Sequence, residues 1–155
     1  TWPLPLIGTV YIGIAERALE LAVASAGRKT SIAIDRQRYA YHPMVQHQVS
    51  AMYLELDAAR ATLDGFTDEW VRRGPEFEDW PPRLLSAKWR AGEAAKRVVD
   101  IALDVTGGAG MFRGNELERL YRDVRCGGFH PANDALTHEM VGKTLLGVAG
   151  EQPRW

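Results

Sequence analysis

The stretch HPMVQHQVSAMYLELDAARATLDGFTDEWVRR, residues 42–73, decides the fold class. Its apolar side chains recur in alternating steps of four and three, at Val45, Val49, Met52, Leu56, Ala59, Leu63, Phe66 and Trp70. This spacing places them on a single stripe of an α-helix. At 1.5 Å per residue that helix would be about 48 Å long. In a chain of 155 residues, a helix of this length predicts a bundle of long, nearly antiparallel helices.

Apolar spacing elsewhere predicts four further helices. The first covers residues 5–29, and the third follows a loop at 74–82 and runs to about residue 106. Asn115 is expected to cap a short fourth helix, and Pro131 to occupy the first turn of a short fifth. No strand alternation is found. The predicted fold class is therefore all-α, an up-down helical bundle of three long and two shorter helices.

Three of these helices have a predicted inner face of regularly spaced apolar residues. In the first helix the set is Leu6, Val10, Ile14, Ala18 and Leu21. In the third it is Leu85, Trp89, Gly92, Val99 and Ala102, with Ala91, Ala94 and Ala95 keeping the helix crossing close. In the fifth it is Leu136, Met140, Val141, Leu145 and Val148.

The composition indicates a globular domain and disfavours several classes of partner. Hydrophobic residues make up 46% of the chain, charged residues 25%, and the formal net charge is −1. Such a charge does not attract nucleic acid or an anionic membrane, and no apolar run approaches the ~20 residues of a membrane span. Cys126 is the only cysteine, which excludes an internal disulfide and fits a cytoplasmic protein. Because no initiator Met is present, we expect residues 1–155 to be one domain of a longer protein.

Two loops carry residues suited to chemistry. Gly107-Gly108-Ala109-Gly110 stands between two predicted helices, where a glycine backbone can approach a phosphate, although the same residues suit a helix stop and tight turn. In the second loop, His130 is a candidate acid or base because its charge changes near neutral pH. A capped helix start explains the spacing of His130, Asp134 and His138 better than a metal site does. No Glu-x-x-His motif for a di-iron site occurs, so we predict no metal.

Four segments, in this order along the chain, resemble the carboxy-terminal domain of the acyl-CoA dehydrogenase superfamily. They are YIGIAERALELAVASAGR (11–28), HPMVQHQVSAMYLELDAAR (42–60), ALDVTGGAG (102–110) and LERLYRDVR (117–125). The resemblance implies a helical bundle at the carboxy-terminal end of a longer flavoenzyme. The fragment alone would be inactive.

The resemblance also implies a cofactor, a substrate and site residues. The family oxidises the CH–CH group of an acyl-CoA, as in fatty acid metabolism, with FAD bound partly across a subunit boundary of a homotetramer or homodimer. Arg28 would contact the pyrophosphate, Gln46 would be a polar contact, and Gly107 and Gly108 would lie near the adenosine diphosphate part of a neighbour's flavin. The family's glutamine before the glycine pair is Asp104 here. A carboxylate would repel a pyrophosphate, so FMN is an alternative cofactor.

The family's catalytic glutamate has no counterpart in the matching segments. Its position after the R-D segment falls at His130 or Pro131, in the loop GGFHPAN, and its other known location falls around Pro3. Dehydrogenation of an acyl thioester needs a base for the α-proton while hydride passes to the flavin. The chain also resembles the related two-component flavin monooxygenases, in which a histidine of this loop assists the oxygen chemistry. There His130 would be a proton donor.

A third interpretation belongs to another class. The chain would be a helical assembly domain without catalysis, because the domains that hold the isoalloxazine ring in this family lie outside residues 1–155.

Overall fold

The computed structural model describes residues 3–74 and 79–150. This part of the chain forms five α-helices: α1 (Pro3–Arg28), α2 (Pro43–Arg73), α3 (Trp80–Thr106), α4 (Glu116–Arg125) and α5 (Asp134–Leu145). Short 3₁₀ turns occupy residues 32–34, 39–41, 107–111 and 126–128. The described residues contain no β-strand. The predicted all-α bundle of three long and two shorter helices is confirmed.

The three long helices run alternately up and down. Gly8, near the start of α1, lies against Leu63 in the second half of α2. Lys29, directly after α1, donates a hydrogen bond to the carbonyl oxygen of Thr106 at the end of α3. Therefore α1 and α3 are parallel to each other, and α2 runs in the opposite direction.

The apolar stripe predicted for α2 faces the core. Six of its members are buried, namely Val45, Met52, Leu56, Ala59, Leu63 and Phe66, and the other two are partly buried. Pro43 occupies the first turn, and His42 caps the helix because its Nδ1 accepts a hydrogen bond from the backbone N–H of Met44 at 3.2 Å. The cap and the stripe fix both the start of α2 and the face it buries.

Helix α3 is the centre of the bundle and packs against each of the other four helices. Its close neighbours are accommodated by small buried side chains, namely Ala87, Ala91, Ala94, Ala95 and Ala102. The predicted inner face of α3 is partly wrong, because Val99 and Ala102 are buried but Leu85, Trp89 and Gly92 are only partly buried. The other large buried residues of α3 are Leu84, Val98 and Val105. Because α3 packs against α1 and α2, its small residues are buried where these helices cross it, and Leu85 and Trp89 lie at the edge of these contacts.

The predicted inner face of α1 is also partly wrong. Leu6 is 63% exposed and Val10 62% exposed. The residues that α1 buries are mostly small: Pro5, Gly8, Tyr11, Ile12, Ala15, Ala18, Ala22, Ser25 and Ala26. Small side chains let α1 approach α3 closely, and this close approach turns the larger apolar residues outward.

Helix α5 begins later than Pro131. It starts at Asp134, because Oδ1 of Asn133 accepts the backbone N–H of Leu136 at 2.9 Å and so caps the helix there. Its predicted apolar face is largely open, with Leu145 78% exposed. Thr137 is the residue it buries. By contrast, the cap predicted for α4 is confirmed, since Oδ1 of Asn115 accepts the N–H of Leu117 at 2.9 Å.

The connection from α1 to α2 is closed at its base. Thr30 and Arg38 form an isolated antiparallel bridge, and the N–H of Tyr39 donates to the carbonyl oxygen of Lys29 at 2.9 Å. Its tip is Asp35-Arg36, both in the left-handed backbone region. None of the helices within the described residues is long and apolar enough to cross a membrane.

Candidate functional site

The glycine pair at the end of α3 leaves an open stretch of backbone. Gly107 ends the helix with φ 68°, a conformation that glycine adopts without strain. The turn that follows the helix is held by Asn115, whose Nδ2 donates a hydrogen bond to the carbonyl oxygen of Ala109 at 2.9 Å. Gly107 and Gly108 are exposed, and a Cβ atom at Gly108 would meet no atom within 4 Å. A ligand can therefore approach this backbone closely.

A groove beside this backbone has a volume of about 580 Å³. It is lined by Asp100, Leu103, Asp104, Gly107, Gly108, Met111, Tyr121 and Arg125. Arg125 is already engaged, since its Nη2 lies 2.7 Å from Oδ1 of Asp100 and its guanidinium stacks 4.7 Å from the ring centroid of Tyr121. Asp104 adds an exposed carboxylate. This wall of the groove is therefore acidic on balance.

The opposite charge comes from the end of α1. The ammonium of Lys29 donates to the carbonyl of Thr106 and would lie 3.9 Å from a Cβ atom at Gly107. Arg28, the last residue of α1, is exposed beside it in sequence. A cation at the carboxy-terminal end of a helix is stabilised by the helix dipole. Two basic residues thus stand at the same end of the bundle as Gly107 and Gly108. The contact between Lys29 and Thr106 could not be predicted from the sequence, because the two residues are far apart in the chain.

Gln46 lies on a different surface. It sits in the first turn of α2, where its Nε2 donates to the carbonyl oxygen of Ala40 at 3.0 Å. It lines a mostly apolar groove of about 510 Å³ together with Leu19, Val23, Val49 and Tyr53. This groove shares no lining residue with the groove at the glycine pair. Within one copy of the chain, Gln46 and Gly107 therefore do not line one groove.

His130 belongs to a second region, which we call the histidine loop (residues 126–133). Its partly buried ring lies edge-on to the ring of Tyr11, with centroids 6.0 Å apart. Burial raises the pKa of Tyr11, and Cys126 and Asp123 raise it further. Tyr11 and Arg28 stand about 25 Å apart along α1. The structure therefore separates His130 from the glycine pair within one chain.

Lys88 is the site residue that sequence reasoning missed altogether. It is 5% exposed, and its Nζ donates to the carbonyl oxygens of Ala132 at 2.8 Å, Gly127 at 3.3 Å and His130 at 3.5 Å. Burial lowers its pKa; Lys96 acts in the same direction and Glu93 in the opposite one. The signal was present in the sequence, because Lys88 stands on one helix face with Leu84, Ala91 and Ala95.

The other polar residues near the histidine loop are engaged with α3. Trp89 Nε1 donates to Oδ1 of Asp134 at 2.7 Å, and the Trp89 ring packs edge-on against His138. Across residues 3–74 and 79–150 there is no group of three or more His, Cys, Asp or Glu side chains arranged to hold a metal ion.

Comparison with known proteins gives a consistent match. The family described as acyl-CoA dehydrogenase, C-terminal domain, matches residues 5–145. The amino sugar nitrososynthase DnmZ of Streptomyces peucetius is 34% identical over 148 residues, which are 89% of this chain and 34% of that protein. The putative acyl-CoA dehydrogenase YdbM of Bacillus subtilis is 33% identical over 143 residues, 90% of this chain and 36% of that protein. The chain thus spans about a third of the length of these curated relatives.

The fold agrees with solved structures. An acyl-CoA dehydrogenase of Bacillus anthracis in complex with FAD superposes with a TM-score of 0.85 at 20% identity, covering 96% of this chain and 27% of that one. At this identity the likeness establishes the fold alone. The family match extends over nearly the whole described chain, and the chain belongs to the acyl-CoA dehydrogenase C-terminal domain family.

Proposed function

We propose that this chain is the carboxy-terminal domain of a longer flavin-dependent oxidoreductase and contributes to binding the flavin nucleotide. The observation that carries the proposal is the approach of Lys29 to the open backbone of Gly107 and Gly108, with the exposed Arg28 next to Lys29 in the chain. An exposed glycine backbone lets a phosphate approach closely, and nearby cations attract it. The family membership and the greater length of the relatives support it.

The two sides of the glycine pair differ in charge, and the basic side suits the phosphates of FAD better than the acidic side. Arg28 and Lys29 would attract a pyrophosphate, whereas Asp100 and Asp104 line the acidic side of the groove. Arg28, Gly107 and Gly108 would therefore hold the adenosine diphosphate part, and Gln46 would serve a second nucleotide or subunit contact. FMN, which lacks that part, is the alternative cofactor. When bound, the flavin supplies the hydride or oxygen chemistry.

Within a single chain the glycine pair and His130 lie about 25 Å apart along α1 and line no common groove. A homotetramer or homodimer would solve this, because one copy could bind the nucleotide end of a flavin whose ring stands near His130 of another copy. We propose such an assembly, in a cytoplasmic protein.

The first candidate reaction is oxidation of the CH–CH group of an acyl-CoA, as the family and YdbM suggest. It requires a base for the α-proton. Residues 126–133 contain no Asp or Glu, so the base is either His130 or a residue from outside the histidine loop.

The second candidate is monooxygenation. An imidazole in place of a carboxylate in the histidine loop favours it, and so does the similarity to DnmZ, a protein named as an amino sugar nitrososynthase. Formation of a nitroso group from an amine takes two successive monooxygenations, the first to the hydroxylamine and the second to the nitroso product with loss of water, and each consumes one reduced flavin and one dioxygen. His130 would then donate or orient a proton.

The test is made on the full-length protein. We expect it to purify with a flavin, and we expect Arg28→Gln to weaken flavin binding by about tenfold or more, the effect of losing a hydrogen bond to a charged group. Arg72→Gln, an exposed arginine in the last turn of α2, is the matched control. If the full-length protein is colourless and cannot be reconstituted with FAD or FMN, the remaining candidate function is that of an assembly domain without catalysis.

A second measurement separates the two reactions. Anaerobic addition of an acyl-CoA should bleach the flavin of a dehydrogenase. In a monooxygenase it should not, and reduced flavin with oxygen should instead transfer an oxygen atom to an added amine, which mass spectrometry with ¹⁸O₂ detects.

A further inference from the structure

Lys88 stands out because a charged side chain is enclosed in the alanine-rich centre of the bundle. It is 5% exposed, and its neighbours on the same helix face, Ala91 and Ala95, are fully buried. Lysine is almost never fully buried unless its ammonium is paired. A contact must therefore compensate the charge.

The compensation comes from backbone oxygen atoms. In the described part of the chain no carboxylate lies within ion-pair distance of Lys88, and its three hydrogen bonds go to the carbonyls of Gly127, His130 and Ala132. An ammonium has three protons to donate, so these carbonyls match its full capacity. All three acceptors belong to the histidine loop.

The rest of the histidine loop is anchored on both sides of His130. Before it, Gly127 packs on the ring of Tyr11. After it, Ala132 is 6% exposed, and its carbonyl also accepts a hydrogen bond from the hydroxyl of Thr137 at 3.4 Å. Phe129, by contrast, is 87% exposed. Lys88 is the one side chain among these contacts that joins both anchored ends and His130 itself.

We propose that Lys88 is a positioning residue: its buried ammonium holds the backbone of the histidine loop so that the His130 ring is presented beside Tyr11 for proton transfer. This inference rests on the proposed function, in which His130 handles a proton. Lys88 acts through the loop and does not itself contact a substrate.

The experiment compares variants of the full-length protein with its flavin. Lys88→Met removes the charge and the donors at similar volume. Lys88→Arg keeps a charge and several donors. Lys96→Met removes a lysine from the same helix that pairs with Glu93 and does not reach the loop. Hydrogen exchange of the peptide covering residues 126–133 and the steady-state kinetics are measured for each.

We expect Lys88→Met to speed exchange in that peptide by about tenfold to a hundredfold, the effect of losing hydrogen bonds to a charged donor. We expect kcat to fall by on the order of a hundredfold, the cost of a misplaced catalytic group, with KM changed much less. Lys88→Arg should recover part of the exchange protection and part of kcat, and Lys96→Met should match the wild type in both measurements. If Lys88→Met does not fold, Lys88→Gln takes its place.

Two results would overturn the proposal. Unchanged exchange at residues 126–133 would mean that Lys88 does not hold the loop, and faster exchange with wild-type kcat would mean that the position of the loop is irrelevant to turnover. Failure of the proposed function looks different. If the wild-type protein binds no flavin, the proposed function fails. The comparison of hydrogen exchange between wild type and Lys88→Met would still decide whether Lys88 anchors the histidine loop.

Discussion

The backbone of Gly127 lies directly against the ring of Tyr11. A Cβ atom at position 127 would come within 3.1 Å of Cε1 and 3.2 Å of Cζ of Tyr11. Tyr11 is 4% exposed, so its ring has little room to move away. This contact joins the histidine loop to α1, on the side of the loop that precedes His130.

The first prediction tests this contact. Gly127→Ala should destabilise the protein by about 1–3 kcal/mol, because the added methyl group overpacks a filled space. Gly128→Ala is the matched control, since a Cβ atom there meets nothing within 4 Å. Urea unfolding measures both. Equal stability of the two variants would show that the Tyr11 ring yields without cost.

The second prediction concerns alkaline pH. Burial, with a smaller effect of Cys126 and Asp123, raises the pKa of Tyr11 above its usual 10.0. Below about pH 10 both states keep the phenol proton. Above it the unfolded chain loses that proton first, so the free energy of unfolding falls as the pH rises.

Tyr11→Phe removes this ionisation and should make the loss of stability between about pH 9 and 11 shallower. Tyr53→Phe, at a tyrosine that is 56% exposed, should leave the wild-type slope. Thermal melting at a series of pH values gives the comparison. A Tyr11→Phe curve parallel to that of the wild type would contradict the prediction.

The third prediction concerns the acidic side of the glycine groove. Asp104→Gln should tighten flavin binding by roughly tenfold at low salt, because it removes a carboxylate that would repel a phosphate. Asp64→Gln removes the same charge from an exposed position of α2 and should change nothing. Fluorescence titration of the apoprotein with FAD measures both, and identical affinities for the two variants would place the phosphates away from Asp104.

The fourth prediction assigns the proton chemistry to one histidine. His130→Gln should lower kcat by on the order of 10²–10⁴, the usual contribution of an acid or base. His138→Gln, at a side chain that is 64% exposed, should behave like the wild type. Unchanged turnover of His130→Gln would show that His130 has a structural role only.

The sequence predicts the helices well where one face is both apolar and continuous. In α2 the stripe from Val45 to Phe66 is made of large side chains against a single core, so spacing alone identifies the buried face. In α1 the buried face includes Gly8, Ala15 and Ala22, which a search for large apolar residues does not detect. Such a search instead assigns Leu6 and Val10 to the inner face, although both are exposed. Close helix packing selects small residues, and that selection depends on the partner helix.

The candidate site is less accessible from sequence. Arg28 and Gly107 are far apart in the chain, and only the contact from Lys29 to Thr106 shows that they share one end of the bundle. Lys88 was overlooked because a lone lysine on a helix is usually exposed, and the carbonyls that bury it come from a loop distant in sequence. The start of α5 was misplaced because Pro131 is a general helix-start signal, while the hydrogen bond from Leu136 to the Asn133 side chain sets the actual first residue.

The bridge between Thr30 and Arg38 closes the excursion between α1 and α2 at its base. Because its two ends are already held together there, lengthening the tip at Asp35-Arg36 adds little closure entropy. A fluorophore or a short peptide insertion at Arg36 would thus be tolerated. Placed a few residues from Arg28 and Lys29, it would act as a reporter of nucleotide arrival at that end of the bundle.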